Sequence, residues 1–260
     1  MQLKEGLGAI LTVLHVVERG LTTKTEERHH SDGLTVLQNW KRGLADAAQK
    51  NINLNVLVGD PFATIIQEVE NHQIDLVMVG QPGRRGLKEL FIGTTAERVV
   101  RFSNRPVLMV NEHSDGSYKR VLVAMDFSHG ARRALEWACR IAPDAKMRIV
   151  HAWKSPIISF SAKDAADVEA STERLSVQEE QHIKGIVEAV TRPGRRPQIT
   201  MVEGSPRDAI RGEIGVFNAQ LLAMGTHSRS GLAAVTGSLA QSLLAEGACD
   251  ILVANSPPLV

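Results

Sequence analysis

The chain has 260 residues, a length that suits two small domains. Its 30 Lys and Arg balance 29 Asp and Glu to a formal net charge of +1, which excludes a general electrostatic pull towards nucleic acid or an anionic membrane and leaves only local patches. Hydrophobic residues at 43% are too many for chain-wide disorder, aromatic residues at 4% are too few for base-stacking platforms, and two cysteines, Cys139 and Cys249, make neither a disulfide framework nor a complete structural zinc site.

In chain order, Gly8 to Leu14 is an apolar run that reads as a strand. Thr22 to Gly33 is polar, and its His29, His30 and Asp32 read as a solvated loop in preference to a metal site. Val58-Gly59-Asp60-Pro61 leads into a helix, Asp75 to Gly80 is a strand, and Pro106 to Val110 is another. Asn111 to Ser117 is a short polar linker. Strands follow at Arg120 to Met125, Met147 to Ala152, Gln198 to Val202, Ala219 to Met224 and Ile251 to Ala254. Helices lie between them, at Gly130 to Ala142, Ala165 to Val190, from Pro206 through Ile214, and at Ser238 to Leu244. No apolar run approaches the roughly 20 residues that span a bilayer, and Lys4 and Glu5 at the start do not resemble a secretory leader. The expectation is a cytoplasmic protein with neither nucleic acid nor membrane as partner.

The chain repeats itself. Gly59 and Gly204 lie 145 residues apart, as do Gly80 and Gly225, each pair in a similar context. Pro106 to Val110 is echoed by Asp250 to Ala254, and Leu14-His15-Val16 by Val150-His151-Ala152. A period this long means tandem globular domains, here 1–114 and 115–260. Alternation of short β-branched runs with amphipathic stretches predicts an α/β fold, with two tandem doubly wound parallel-sheet domains of Rossmann-like type. Projecting Asp126 back by the repeat offset lands before Met1, so the first domain is expected to lack its N-terminal strand and to begin inside its first helix. We expect the sequence to start late relative to the natural gene; the alternatives are a first domain that closes its sheet by another pairing and a strand supplied by a partner chain.

Ligands of open α/β sheets bind beyond the carboxyl ends of the strands. There the second copy has Ala124-Met125-Asp126-Phe127-Ser128. Asp126 suits a ribose hydroxyl, but Asp126 and Ser128 are equally good helix N-caps, and residue type alone does not choose. After strand four the first copy runs Gly80, two residues, Gly83, nine residues, Gly93-Thr94. The second copy runs Gly225-Thr226-His227-Ser228, eight residues, Gly237-Ser238. Glycines let backbone N–H groups approach an anion, and a helix start favours phosphate. His227 could touch a phosphate; Arg84, Arg85 and Arg229 flank the loops, and Arg192 to Pro197 is a basic turn. His15 and His151 read as structural, and Cys139 and Cys249 as core thiols.

Both copies resemble the universal stress protein domain, and the whole resembles a tandem member of that family. Gly80, Gly83, Gly93 and Thr94 match the family's loop, and Val121 to Ser128 matches its strand-one signature. The resemblance implies a five-stranded doubly wound sheet and, in some members, bound ATP or another adenine nucleotide. Carried over, Asp126 holds the ribose with Ala124 beside it, the main chain around Ala152 reads the adenine edge, and Gly225 with the Gly237-Ser238 turn holds the phosphates, magnesium being the accompanying ion; the loop's own His227 and Ser228 add side chains that could reach a phosphate oxygen. Ser228 stands where the family has glycine, in a loop one residue shorter, and a degenerate site would bind no cofactor. With no nucleophile–base pair and no Walker-type lysine, we expect a stress-response sensor or regulator, not an enzyme. The alternative is an interaction module that has lost its nucleotide. The final strands, Val107 to Val110 and Ile251 to Ala254, are expected to pair antiparallel within one chain, with a homodimer through sheet-edge pairing and a regulatory protein as further partners.

Overall fold

The computed structural model describes residues 6–19, 22–80, 94–111, 118–153, 165–226, 242–243 and 246–255. The first copy contributes β1 (Leu11–Glu18), α1 (Thr23–Arg42), α2 (Asp46–Gln49), β2 (Ile52–Gly59), α3 (Pro61–Asn71), β3 (Val77–Gly80), α4 (Thr94–Phe102) and β4 (Val107–Val110). The second contributes β5 (Arg120–Ala124), α5 (His129–Ile141), β6 (Lys146–Trp153), α6 (Ala165–Val190), β7 (Gln198–Glu203), α7 (Pro206–Phe217), β8 (Leu221–Thr226) and β9 (Asp250–Asn255). No described helix is long and apolar enough to cross a membrane.

The βα alternation of the second copy closes as the pattern predicts. β5 pairs in parallel with β6 on one side and β8 on the other, β6 with β7, and β8 with β9. The strand order β9-β8-β5-β6-β7 is doubly wound about β5. Its side chains alternate between two layers. Val121, Val123, Leu221 and Ala223 meet Ala131, Ala134, Leu135 and Ala138 of α5 and Ile183 and Val187 of α6. Leu122, Leu222 and Met224 meet Ala209 and Ile210 of α7. A sheet buried on both faces needs near-continuous apolar strands, which is how these segments read.

The first copy is divided. β1 pairs in parallel with β2 in a two-stranded sheet, whereas β3 and β4 belong to the seven-stranded sheet β3-β4-β9-β8-β5-β6-β7. In the second copy β5 is the strand that joins β6 to β8; among the described residues the first copy has no counterpart, so its halves have no shared ladder. Helix α3 connects them by side-chain packing. Asp60 caps it by accepting from the Ala63 N–H at 2.8 Å, and Pro61 opens its first turn. Phe62 meets Phe102 of α4 edge-on at 5.7 Å, and Arg98 lies over the Phe62 ring at 4.0 Å. On the other side of the sheet Met78 of β3 is 46% exposed, since among the described residues no helix covers β3 there as α5 covers β8.

Two local readings are corrected, and a third gains its structural reason. The first strand runs Leu11–Glu18, three residues later at its start than Gly8. Thr22 to Gly33 is the start of the long helix α1, not a loop. Its His30 Nε2 lies 3.0 Å from the Val56 carbonyl and Arg28 pairs with Asp32 one turn on. The basic turn before β7 is structural: Arg195 donates to the carbonyls of Ala142 and Ala145 at 3.1 and 2.9 Å.

The copies are joined along β4 and β9, which pair antiparallel with Val107 opposite Val253, Leu108 opposite Leu252 and Met109 opposite Ile251. The expected pairing of final strands within one chain is thus present. All six side chains are buried, and they alternate between the two layers. Beside this seam Asp250, 2% exposed, accepts from the Asn111 backbone N–H at 2.8 Å and from the Tyr118 hydroxyl at 2.6 Å. One carboxylate therefore holds both flanks of the linker. Residues 112–117 between those flanks lie outside the described residues. Leu252→Ala is expected to cost about 3 kcal/mol by leaving a cavity between the copies. Denaturant unfolding of the two proteins reads this directly. Tyr118→Phe, which strips one partner from a buried carboxylate, is expected to cost about 1–3 kcal/mol in the same measurement.

Candidate functional site

The carboxyl ends of β5, β6 and β8 lie side by side, because these strands are hydrogen-bonded neighbours in parallel register. The loop leaving β5 is built around its own backbone. Met125 extends the ladder by donating its N–H to the Val150 carbonyl at 2.9 Å. Its carbonyl accepts from His151 Nδ1–H at 2.7 Å; a carbonyl only accepts, so this nitrogen carries the proton. His151 is buried, and its Nε2 faces Glu179 of α6 at 3.4 Å. Phe127 adopts φ of +61°, a left-handed conformation uncommon for a bulky residue. Its ring sits 4.8 Å from His151 and stacks on His182 of α6, also at 4.8 Å. Such strain persists only where the surroundings over-determine it, and two aromatic contacts do so here.

The question left open between Asp126 and Ser128 is settled by geometry. Ser128 is the N-cap of α5: its Oγ accepts from the Ala131 N–H at 3.1 Å. Asp126 Oδ1 in turn accepts from the Ser128 N–H at 3.0 Å and from its hydroxyl at 2.5 Å. The aspartate is thereby oriented by the cap residue while remaining exposed beyond the end of β5. Ala124, last of β5, is half-buried between Val150 and Met224. Ala152 lies near the end of β6 opposite Val202, also half-buried.

Gly225 has a structural reason that the loop pattern did not reveal. A Cβ there would lie 2.3 Å from the Ala131 nitrogen and 2.5 Å from the Gly130 carbonyl carbon. These are backbone atoms of the first turn of α5, so they move only with the helix. Gly225 therefore lets helix and strand approach closely. At the equivalent Gly80 of β3 a Cβ would meet nothing within 4 Å, since no described helix stands where α5 stands in the second copy. Thr94 opens α4. The remaining candidates, Gly83 and Gly93 of the first loop and His227, Ser228, Gly237 and Ser238 of the second, lie outside the described residues, as do Arg84, Arg85 and Arg229.

The two recurring histidines differ in environment. His151 is buried against the β5 loop, whereas His15 is exposed, with no such loop beside it among the described residues. Burial pushes the Cys139 thiol up, and pushes Cys249 up to about 12 with help from neighbouring Asp250, so neither is a poised thiolate. No group of three or more metal-ligating side chains occurs among the described residues. Asp250 and Tyr118 were missed as a pair by sequence reasoning, which has no local signal for a contact between residues 132 positions apart.

These features define two α/β copies joined through their last strands, the second of them doubly wound and the first divided between two sheets. A family model described as the universal stress protein family matches residues 1–111 and again 117–255, and the chain belongs to that family, carrying its domain twice. Universal stress protein MJ0577 of Methanocaldococcus jannaschii is 34% identical over 74 residues, which cover 28% of this chain and 45% of that protein; the chain thus spans less than half of that relative. A putative universal stress protein of Staphylococcus aureus is 33% identical over 151 residues, covering 55% of this chain and 87% of the relative. The crystal structure of a universal stress protein from Archaeoglobus fulgidus superimposes with a TM-score of 0.70 at 22% identity, over 96% of this chain and 90% of the other, a likeness of fold.

Gly225→Ala is expected to destabilise the protein by about 2 kcal/mol or more, as overpacking against fixed backbone does. Gly80→Ala is expected to stay within about 0.5 kcal/mol. Parallel denaturant titrations test the pair, and equal effects would refute the close-approach role.

Proposed function

We propose that the second copy binds ATP or another adenine nucleotide over the ends of β5, β6 and β8, and that the protein acts as a stress-response sensor or regulator with little or no turnover. The observation that carries this reading is Asp126: an exposed carboxylate beyond the central strand, oriented by Ser128, while Ser128 takes the capping duty. A carboxylate so held suits a vicinal ribose diol, which offers two donors to its acceptors. Ala124 and Ala152, both small, leave room for a flat base beside the strand ends. The buried His151 and the ring of Phe127 support the loop from beneath, a duty that leaves them no direct part in chemistry. The first copy is not proposed as a nucleotide site, because no strand carrying a matching aspartate is described there.

A cytoplasmic setting and a regulatory protein partner belong to the same reading. Since β4 and β9 occupy each other, a homodimer formed by sheet-edge pairing would use β7 or the strands of the first copy. Equilibrium binding of ATP to the native protein and to Asp126→Ala tests the site. A loss of about tenfold or more is expected, in line with about 1.5–3 kcal/mol for a hydrogen bond to a charged group. Equal, weak binding by both proteins would leave the interaction-module reading in its place. Phosphate release is expected to stay at background, and release above it that disappears in Asp126→Ala would show an enzyme.

A further inference from the structure

A cavity of about 430 Å³ opens where the two copies meet, on the side of the sheet covered by α5. One wall is a stripe of α5 itself. His129, Arg132, Arg133, Glu136, Trp137 and Arg140 recur at intervals of three and four and so share one helix face. The opposite wall comes from the first copy, where Arg105 precedes β4 and Asp75 precedes β3.

Four guanidinium groups thus face one space with two carboxylates. Among the described residues, Glu136 is the only one of these carboxylates in an ion pair, 3.4 Å from Arg132. Among the described residues no carboxylate lies within ion-pair distance of Arg105, Arg133 or Arg140. Arg133 is half-buried and fixed in place: its Nη1 donates to the carbonyls of Asn104 and Asn255, one from each copy, at 3.3 and 3.4 Å. Burial, and next the charge of Arg105, pull its pKa down, so the two cations are close enough to repel. Arg140 rests over the Trp137 ring at 5.3 Å. A chain with a net charge of +1 has therefore gathered four arginines against two carboxylates in a concave site between its domains, with Glu136 offsetting only part of the charge on Arg132 and Arg133.

We propose that this junction cavity binds a small, multiply charged phosphate anion of the pyrophosphate type, with Arg105 and Arg140 as its principal ligands and Arg133 holding the cluster in position. Planar guanidinium forks present paired N–H donors that match phosphate oxygens, and an anion of two or more charges relieves the repulsion between Arg105 and Arg133. The volume falls within the range of small-molecule sites and leaves space beside Trp137 for a compact organic group on the phosphate. Asp126 does not line the cavity, and the proposal stands apart from the nucleotide reading. Because Arg105 belongs to the first copy and Arg140 to the second, an anion held by both would bridge the domains.

Isothermal titration of pyrophosphate into the full chain tests this, with R105Q/R140Q, R140Q alone and Asp126→Ala as variants. The native protein is expected to bind one pyrophosphate per chain with an affinity that falls as salt is raised. R105Q/R140Q is expected to bind at least tenfold more weakly with an unchanged circular dichroism spectrum, and Asp126→Ala to bind as the native protein does. Arg140 is exposed, so R140Q keeps the fold whatever the double variant does; its expected loss is threefold or more. No saturable binding by the native protein, unchanged affinity in R140Q, or a loss confined to Asp126→Ala would each overturn the proposal.

Discussion

Three residue pairs along β4 and β9 carry the architecture. An antiparallel seam of two final strands turns what would be separate sheets into one sheet of seven strands, and its six buried side chains belong alternately to both apolar layers. An edge strand presents unpaired N–H and C=O groups, and each copy hides its edge in the other. The relative position of everything at the junction follows from that pairing: Asp250 meets the linker's flanks, Arg133 reaches carbonyls of both copies, and Arg105 comes to face α5.

The second constraint is the central strand. In a doubly wound sheet the first strand is the hinge between the two directions of winding, and β5 fills that place by pairing with both β6 and β8. The loop that leaves it is the best-supported point of the site, with a capping serine, an oriented aspartate, a strained phenylalanine and a buried histidine within a few residues. Where no such strand is described, the same sequence motifs have other surroundings. β1 and β2 stand as their own sheet, His15 is exposed where His151 is buried, and Gly80 has open space where Gly225 touches a helix backbone. Equivalent residues do equivalent work only when their neighbours are present.

Much of this was legible from the residues. The central β-branched runs of the second copy are buried on both faces, and apolar runs marked β5 to β9 to within two residues; the loop and strand-one motifs carried the resemblance to the family, and that resemblance implied the pairing of final strands. Helix α1 was not legible, because none of its described side chains is fully buried and its first half is polar enough to read as loop. The choice between Asp126 and Ser128 was not legible either, since both residue types cap helices equally well.

The sequence by itself determined the class of fold, the presence of two copies, the order of elements in the second copy and the candidate aspartate, because these follow from periodicity and local chemistry. Only the tertiary structure decided which oxygen caps α5, why Gly225 is glycine, and that Asp250 and Tyr118 meet across the junction. The physical reason is distance along the chain. Helix–strand approach, buried carboxylate pairing and the gathering of arginines from two domains are contacts between residues far apart in sequence, and no local pattern of residue types encodes them.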